Sequence, residues 1–235
     1  MSGGEPALAF AGVVKDYRGL RPLRLSGLEV ATGERVALGG FDAAGAEALV
    51  NLITGAALPD QGSVVVLGQD TAAIADGDAW LASLDRFGIV SDRAVMLESA
   101  TFLQNLALPL SLEIDAIAPD VKRRAEALAA ETGLAADRLS ARVQEGSAEE
   151  RARAQVARAM ALDPAILLLE HPSANVPRDA VARFASDLAA LVNRRRITAL
   201  AITEDAAFAK PFATRWVRAN PATGEVTAAN KRWLW

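Results

Sequence analysis

The segment that most constrains the fold is 34–55, ERVALGGFDAAGAEALVNLITG, which joins an apolar strand to a helical pattern through a glycine loop. Its layout follows G-x-x-x-x-G-K-[S/T], a loop whose backbone N–H groups and lysine hold phosphates while a hydroxyl holds Mg²⁺. Gly40 and Gly45 keep the frame, but Ala46 takes the lysine position and Glu47 the hydroxyl position. The segment therefore predicts a phosphate-loop fold that has lost its phosphate-binding side chains.

Glu47 can be interpreted in two ways. A carboxylate beside a triphosphate should cost a few kcal/mol at close range, which disfavours a nucleotide there. An acid in the first turn of a helix is instead favoured by the helix dipole, which gives Glu47 a structural role. A sharper version of this hypothesis is that Asp42 or Glu47 fills the nest of free N–H groups in place of a phosphate.

Hydrophobic periodicity predicts an α/β chain in which short strands alternate with helices. The continuous apolar runs at 165–169 and 197–202 are typical of parallel strands that are covered on both faces. The predicted strands are 7–14, 24–31, 34–39, 63–67, 86–90, 165–169, 197–202 and 214–219. The predicted helices are 45–54, 119–132, 147–162 and 178–194, with a less regular one around 101–108.

Five further segments follow the glycine loop in an order that resembles the ATPase subunit of an ABC transporter, most like the small cassettes of lipid and lipoprotein transport. The segments are 63–68, 86–110, 146–164, 165–173 and 197–205. They resemble, in turn, the strand after the P-loop helix, the Q-loop region, the signature motif with its helix, Walker B, and the strand that ends in the H-loop. The resemblance extends from about residue 7 to residue 228.

The resemblance implies a P-loop NTPase-like ABC cassette with a mainly parallel central sheet, an antiparallel β edge and a helical subdomain. It implies one domain over 1–235, with the helical subdomain near 92–160 inserted in a RecA-like core. Tyr17 occupies the position where the family stacks an aromatic ring on adenine. A tyrosine at the end of a short strand is also ordinary, so Tyr17 supports nucleotide binding only weakly.

The departures from the family pattern fall on the reactive positions. At the P-loop, Ala43, Ala46 and Glu47 replace a glycine, the lysine and the Ser/Thr. Of the signature LSGGE, residues 146–150 keep the serine and the last glutamate. The remaining changes are Asp92 at the Q-loop, Glu170 at the Walker B aspartate, His171 at the catalytic base, Pro177 at the D-loop and Glu204 at the H-loop histidine.

These losses predict that no catalytic group is intact, with His171 and Glu204 marking the lost catalytic positions. The metal ligands are predicted to be lost at Glu47, Asp92 and Glu170, because one extra methylene at position 170 moves the carboxylate by roughly an ångström. His171, the only histidine, could accept a proton from water, but without the lysine and Mg²⁺ site a polar residue at a strand end is the preferred interpretation. Tyr17, Gly40, Gly45, Ala46 and Glu47 would form a weak nucleotide site.

Composition excludes several function classes. The formal charge is −4, which gives no reason to expect nucleic-acid binding. There is no cysteine, which excludes disulfides and cysteine–metal sites and fits a reducing compartment. No apolar run approaches the ~18 residues of a membrane span, and no signal peptide is readable at the N-terminus. The expected location is cytoplasmic, at the inner face of the membrane only through a permease.

The function predicted from these features is a hydrolysis-deficient cassette that acts as a structural or regulatory partner of a membrane permease or of a second cassette. A dimer is compatible with this function. No cofactor is expected, although weak binding of ATP and Mg²⁺ stays open. One alternative is a working ATP-hydrolysing transport subunit. Another is a relict fold that binds a different ligand in the old nucleotide cleft.

Two surfaces are candidates for partner contact. The segment 91–110 carries apolar residues that either pack the core or form a permease-facing groove, namely Val95, Met96, Leu97, Phe102, Leu103 and Leu106. The terminal Trp233 and Trp235 either fold back on the domain or anchor a partner. The basic cluster 194–196 ends a helical pattern, where positive charge is favourable, so it is interpreted as structural.

Overall fold

The computed structural model describes residues 5–229, so Trp233 and Trp235 lie outside the described residues. Within that range the strands form two sheets. An antiparallel sheet has the order β2-β1-β4-β5, and a larger sheet has the order β10-β9-β3-β8-β7-β6. The strands are β1 (Leu8–Lys15), β2 (Leu23–Val30), β3 (Arg35–Gly39), β4 (Gln61–Val66), β5 (Gln69–Asp70), β6 (Phe87–Val90), β7 (Ile166–Glu170), β8 (Thr198–Ile202), β9 (Arg215–Ala219) and β10 (Val226–Ala228).

Strands β9, β3, β8, β7 and β6 run parallel, and β10 pairs with β9 in the antiparallel sense. Every residue of β7 and β8 is buried, because helices cover both faces of a parallel sheet. The α/β fold class predicted from the sequence is confirmed, with the mainly parallel sheet and the separate antiparallel sheet both present.

The α-helices are α1 (Ala43–Ile53), α2 (Gly77–Leu84), α3 (Phe102–Ala107), α4 (Pro119–Thr132), α5 (Ala148–Ala159), α6 (Val181–Arg195) and α7 (Ala206–Phe212). Along the chain, they lie between strands of the larger sheet: α1 and α2 between β3 and β6, α3 to α5 between β6 and β7, α6 between β7 and β8, and α7 between β8 and β9. Pro119 at the first position suits the start of α4, and Gly133 ends that helix in a left-handed conformation (φ +75°). Helices α3, α4 and α5 pack on one another between β6 and β7. The limits 92–160 given to the helical subdomain remain a prediction.

All the predicted strands and helices are present, and within residues 5–229 two short strands and two short α-helices were missed. Strands β5 and β10 have two and three residues, too few to show a pattern. Helix α2 buries none of its residues, so it lacks the apolar stripe that predicts a helix. Helix α7 contains Pro211, a residue that disfavours the interior of a helix.

The topology brings the sequence-predicted positions to one edge of the larger sheet. Parallel strands place their carboxyl ends at the same edge, and ligands in open α/β sheets bind there. Strand β3 is followed by Gly40, β6 by Ser91 and Asp92, and β7 ends at Glu170 before His171. Strand β8 is followed by Thr203 and Glu204 at the same edge.

Candidate functional site

The first glycine of the loop is held by an acidic side chain. Gly40 has φ +102°, and a Cβ there would lie 2.2 Å from the carbonyl oxygen of Ala219, so only glycine fits. Its N–H donates to Glu204 Oε1 at 2.5 Å. Glu204 also forms an ion pair with Arg218 at 3.2 Å. Glu204, the residue at the H-loop position, therefore contacts the glycine loop. The sequence did not predict this contact.

A second carboxylate caps the helix that follows the loop. Asp42 is the N-cap of α1, and its Oδ1 accepts the N–H of Gly45 at 2.8 Å. The prediction that Asp42 fills part of the N–H nest is thus confirmed. Ala46 is fully buried behind this cap and brings no positive charge to the loop.

The prediction that Glu47 lies in the first turn of the helix was wrong, and of the two candidates for the nest it is not the one that fills it. Helix α1 begins at Ala43, so Glu47 lies in its second turn and not in the first. Its carboxylate does not reach the N–H nest but pairs with the guanidinium of Arg93 at 3.0 Å. The same guanidinium contacts Glu170 Oε1 at 2.5 Å, so Arg93 bridges two of the positions that the sequence assigned to lost metal ligands.

Glu170 is the buried member of this bridge, since only 8 % of its side chain is exposed, against 44 % for Arg93. Burial raises the pKa of Glu170, and the charge of Glu47 raises it further, while the hydrogen bond and charge of Arg93 and the nearby His171 act to lower it. Arg93 is therefore the main group that opposes this rise in the pKa of Glu170.

The segment after β6 is fixed to its surroundings by side chains. Asp92, at the Q-loop position, accepts a hydrogen bond from Asn175 Nδ2 at 3.0 Å. Arg158 of α5 donates to the carbonyl oxygen of Val95 at 2.9 Å and also to that of Ala94. Asp92 thus has a hydrogen-bond partner of its own, separate from the Arg93 bridge.

His171 occupies a strained and enclosed position. Its backbone is left-handed (φ +45°), which is uncommon for a residue other than glycine, asparagine or aspartate, and its N–H donates to the carbonyl of Ile202 at 2.9 Å. Its Nε2 atom is buried and has no hydrogen-bond partner in residues 5–229. His171 and Glu170 line a cavity of about 230 Å³ that α5 closes on the other side.

Asp205, next to Glu204, is a site residue that the sequence analysis missed. It caps α7 and accepts hydrogen bonds from Ser173 at 2.8 Å and Arg178 at 2.6 Å. Although burial opposes the shift, these donors lower its pKa. An aspartate directly before an Ala-rich segment is a signal for a helix N-cap, so the capping role of Asp205 could have been predicted. Its donors Ser173 and Arg178 are too far away in sequence to be inferred.

Tyr17 is placed near the glycine loop. It is partly buried against the core of the antiparallel sheet. Burial raises its pKa, and the charge of Asp42 raises it further. Tyr17 is thus near enough to Asp42 for that charge to act on it, and a role of its ring in nucleotide binding stays a prediction.

The N-terminus of α5, at the signature position, is capped from within. Ser147 and Glu150 form a reciprocal capping box, and Glu150 also accepts from Arg138 at 2.7 Å. Glu149 pairs with Arg153 and Arg183, each at 2.9 Å. Ser147 and Glu150 are the two residues that match the signature motif, and both are engaged in hydrogen bonds with nearby residues of this chain.

The side chains as placed do not fit a magnesium nucleotide. The N–H groups of Gly40 and Gly45 already donate to carboxylates, and the position of the phosphate-binding lysine is a buried alanine. Arg93 occupies both carboxylates that would face the ion. Within residues 5–229, no cluster of three or more His, Asp or Glu side chains is arranged to hold a metal ion.

The groove predicted along 91–110 is largely core. Met96, Phe102 and Leu106 are buried, so they pack the interior and cannot contact a partner. Val95 and Leu97 are exposed, by 74 % and 46 %. No helix within residues 5–229 has both the length and the apolar character needed to cross a membrane.

Comparison with known proteins agrees with this fold. The ABC transporter family model matches residues 23–174. The lipoprotein-releasing system ATP-binding protein LolD of Pseudomonas syringae pv. tomato is 32 % identical over 188 residues, which cover 79 % of this chain and 82 % of LolD. LolD of Anaeromyxobacter dehalogenans is 33 % identical over 206 residues, 85 % of each chain.

Among solved structures, CbiO1 of Clostridium perfringens, part of the ABC transporter complex cbiONQ, has a TM-score of 0.80. The match covers 95 % of this chain and 88 % of CbiO1, and at 18 % identity it concerns the fold alone. The family model spans more than half of the chain, and the LolD relatives match over most of their length. The chain is therefore a member of the ABC transporter family, of the ATP-binding cassette type.

Proposed function

We propose that this cassette does not hydrolyse ATP and that it acts as a structural or regulatory partner of a membrane permease or of a second cassette. The observation that carries the proposal is the bridge that Arg93 forms between Glu47 and Glu170. A permanent monovalent cation from the chain itself lies between the two positions where the family resemblance implies Mg²⁺ ligands.

Electrostatics support the proposal. Phosphoryl transfer depends on positioning and on positive charge around the phosphates, which a lysine and Mg²⁺ supply in P-loop enzymes. Here a nucleotide would have to displace Glu204 from Gly40 and bring its phosphates next to Glu47. Arginine stays protonated at any accessible pH, so the internal bridge does not open by losing its proton.

The partner is proposed from the family and from the surface. The relatives are ATP-binding proteins of transport systems, and a cassette that has lost hydrolysis can still contact a permease. Val95 and Leu97 are the exposed apolar side chains in the stretch that the resemblance assigns to permease contact. Docking requires shape and apolar area rather than a lysine or a metal ion, so this surface can outlast the reactive groups.

A nucleotide titration tests the loss of hydrolysis. The purified chain is titrated with Mg-ATP and Mg-ADP by calorimetry and by thermal melting, with MgCl₂ alone as the control. We expect no saturable heat and no melting shift up to millimolar nucleotide, whereas a ligand at a hundred times its Kd would add about 2.7 kcal/mol of stability. A micromolar, Mg²⁺-dependent shift with phosphate release would favour the alternative of a working ATPase.

Co-purification from the native host tests the partner. Met96 and Phe102 are buried, so charges there would only disrupt the core; Val95→Glu and Leu97→Glu change the exposed surface instead. We expect wild type to recover a permease subunit or a second cassette and both variants to lose it. Leu58→Glu, at an equally exposed leucine in the loop between α1 and β4, is the control and should keep the partner. Retention by all three variants would contradict the proposed surface.

A further inference from the structure

We propose that helix α2 binds the C-terminal segment, residues 230–235, of a second copy of this chain. The segment reads NKRWLW, two cations followed by an apolar end. Helix α2 belongs to the described part of the chain, whereas the segment lies outside the described residues. This inference goes beyond the function proposed above and does not depend on it.

Helix α2 is largely apolar, and the rest of residues 5–229 leaves it uncovered. None of its eight residues, GDAWLASL, is buried, and 57 % of Leu81 is exposed. Trp80 attaches the helix to the end of α1, since its Nε1 donates to the carbonyl oxygen of Thr54 at 2.9 Å. Helices in proteins are stabilised mainly by packing an apolar face, so an uncovered one indicates a contact that residues 5–229 do not supply.

The exposed side of α2 combines Leu81 with negative charge. Asp78 lies three residues before Leu81 and Asp85 four residues after it, so the three share one helix face. Neither aspartate forms an ion pair within residues 5–229. Asp76 adds a third charge at the N-cap, and Arg86 is the one cation in the segment 70–86. A ligand of this face therefore needs positive charge next to apolar area.

The C-terminal segment has this complementary chemistry. Lys231 and Arg232 bring positive charge to the aspartates, and the side chains of 233–235 are all apolar or aromatic. Opposite charges around an apolar contact set the register and orientation of two surfaces. Tryptophan and arginine are also the residue types that contribute most to protein interfaces.

The distance favours the helix of a second copy. Helix α2 ends beside β6, since the N–H of Arg86 donates to the carbonyl of Ser83 and β6 begins at Phe87. The segment follows β10, which lies at the opposite edge of the larger sheet from β6. Six strands at about 4.8 Å spacing place these edges about 24 Å apart, whereas six residues extend at most about 22 Å. Exchange of the segments between two copies gives a closed dimer.

Self-association of the full chain tests the proposal. Sedimentation velocity is measured without nucleotide, over concentrations that bracket the expected affinity. We expect a reversible dimer with a Kd of about 10–100 µM, because two short segments bury only a small interface. A synthetic peptide of residues 229–235 should compete with the segment and return the dimer to monomer.

Two apolar variants locate the contact. Leu81→Gln changes the exposed face of α2, and Trp233→Gln changes the segment, so neither removes a buried side chain of the described fold. Each should raise the dimer Kd at least about tenfold, as expected for an apolar or aromatic residue at the centre of an interface. Leu162→Gln, at a leucine that is 47 % exposed beyond the end of α5, is the matched control and should leave the Kd unchanged.

Charge reversal separates a specific contact from a loss of folding. Asp78→Lys with Asp85→Lys should abolish the dimer, and adding Lys231→Glu and Arg232→Glu to the same chain should restore it. A damaged helix would not be rescued by changes in the distant segment. Asp137→Lys, at an exposed aspartate outside α2, should leave the dimer intact.

Three results would overturn the proposal. The first is a monomer at every concentration, and the second is a dimer that Leu81→Gln and Trp233→Gln leave unchanged. The third is a monomer in which Trp233→Gln shifts the amide NMR signals of α2, because the segment would then contact its own helix. A monomer that loses a co-purified permease on Leu81→Gln would likewise assign the face to another protein and contradict the second copy.

Discussion

At the scale of single residues, the site depends on the contacts of one positively charged side chain, Arg93. Arg93 is partly exposed, yet it contacts Glu170, which is almost wholly buried, and Glu47, which is half exposed. An ion pair at the surface contributes little, whereas a buried charge that loses its partner is strongly destabilising. The stability that Arg93 contributes therefore comes mainly from its contact with Glu170 and much less from its contact with Glu47.

Replacing Arg93 by alanine should destabilise the fold in a pH-dependent way. The pKa of Glu170 is raised in the folded protein, so stability falls as the pH rises from the ordinary glutamate value through the folded one. Without Arg93 that pKa rises further, and the fall extends to higher pH. We expect a loss of about 1–3 kcal/mol at pH 8 and a smaller loss at pH 5, measured by urea unfolding.

The double variant Arg93→Ala, Glu170→Gln is the control for this experiment. A neutral amide has no proton to gain, so the difference between pH 5 and pH 8 relative to wild type should shrink. If Arg93→Ala alone matched wild type at both pH values, the bridge would contribute nothing to the fold.

At the scale of elements, Arg153 joins three helices around one buried guanidinium. It donates from α5 to Glu149 of the same helix, to Asp187 of α6 at 2.7 Å and to the carbonyl of Thr132 at the end of α4 at 2.7 Å. Only 8 % of its side chain is exposed. The packing of α4, α5 and α6 therefore relies on one charged residue as well as on apolar contacts.

Arg153→Leu should destabilise the protein by about 3 kcal/mol, because it leaves Glu149, Asp187 and a buried carbonyl without this donor. The matched control is Arg183→Leu, which removes an exposed arginine from the same Glu149 and should cost less than about 1 kcal/mol. Chemical unfolding of both variants measures the difference. Equal losses would show that burial gives Arg153 no special role.

The elements also show what the sequence could and could not predict. Strands β7 and β8 and helix α4 were predicted nearly to the residue, because continuous apolar runs and hydrophobic periodicity are local signals. The site positions followed from the order of the segments along the chain that resemble the family. The Arg93 bridge did not, since its partners lie 46 and 77 residues away and no local pattern links them. Nor did the contact of Glu204 with Gly40, 164 residues apart.

At the scale of the whole molecule, polar contacts connect helices α4 and α5, and the loop before α3, to neighbouring loops and to α6. On one side, Asn175 holds Asp92 and Arg158 holds the carbonyls of 94–95. On the other, Arg195 of α6 pairs with Glu131 of α4 at 2.7 Å. If nucleotide is not bound, nothing at the site would drive these ties apart, and the chain would present one fixed arrangement to its partner.

Pulsed electron paramagnetic resonance can measure this arrangement, because the absence of cysteine allows two labels to be placed without side reactions. Labels at Arg123→Cys on α4 and Leu58→Cys beside the antiparallel sheet report the distance between the helices and the sheet. We expect no shift larger than about 2 Å on adding millimolar Mg-ATP, the size of a small helix displacement. Adding Arg195→Ala should broaden the distance distribution, and a nucleotide-dependent jump in the parent protein would contradict a fixed arrangement.

The strand order β9-β3-β8-β7-β6 also bears on how the protein is made. Strand β3 leaves the ribosome early, but its two neighbours, β8 and β9, come from the last part of the chain, since Arg35 pairs with Ala199 and Val36 with Arg215. At about 5–20 residues per second, β3 and the glycine loop wait roughly 10–30 s without a sheet to join. During that interval both edges of an apolar strand are open to other chains, so we expect newly made protein to be most prone to aggregation before β8 and β9 have been synthesised.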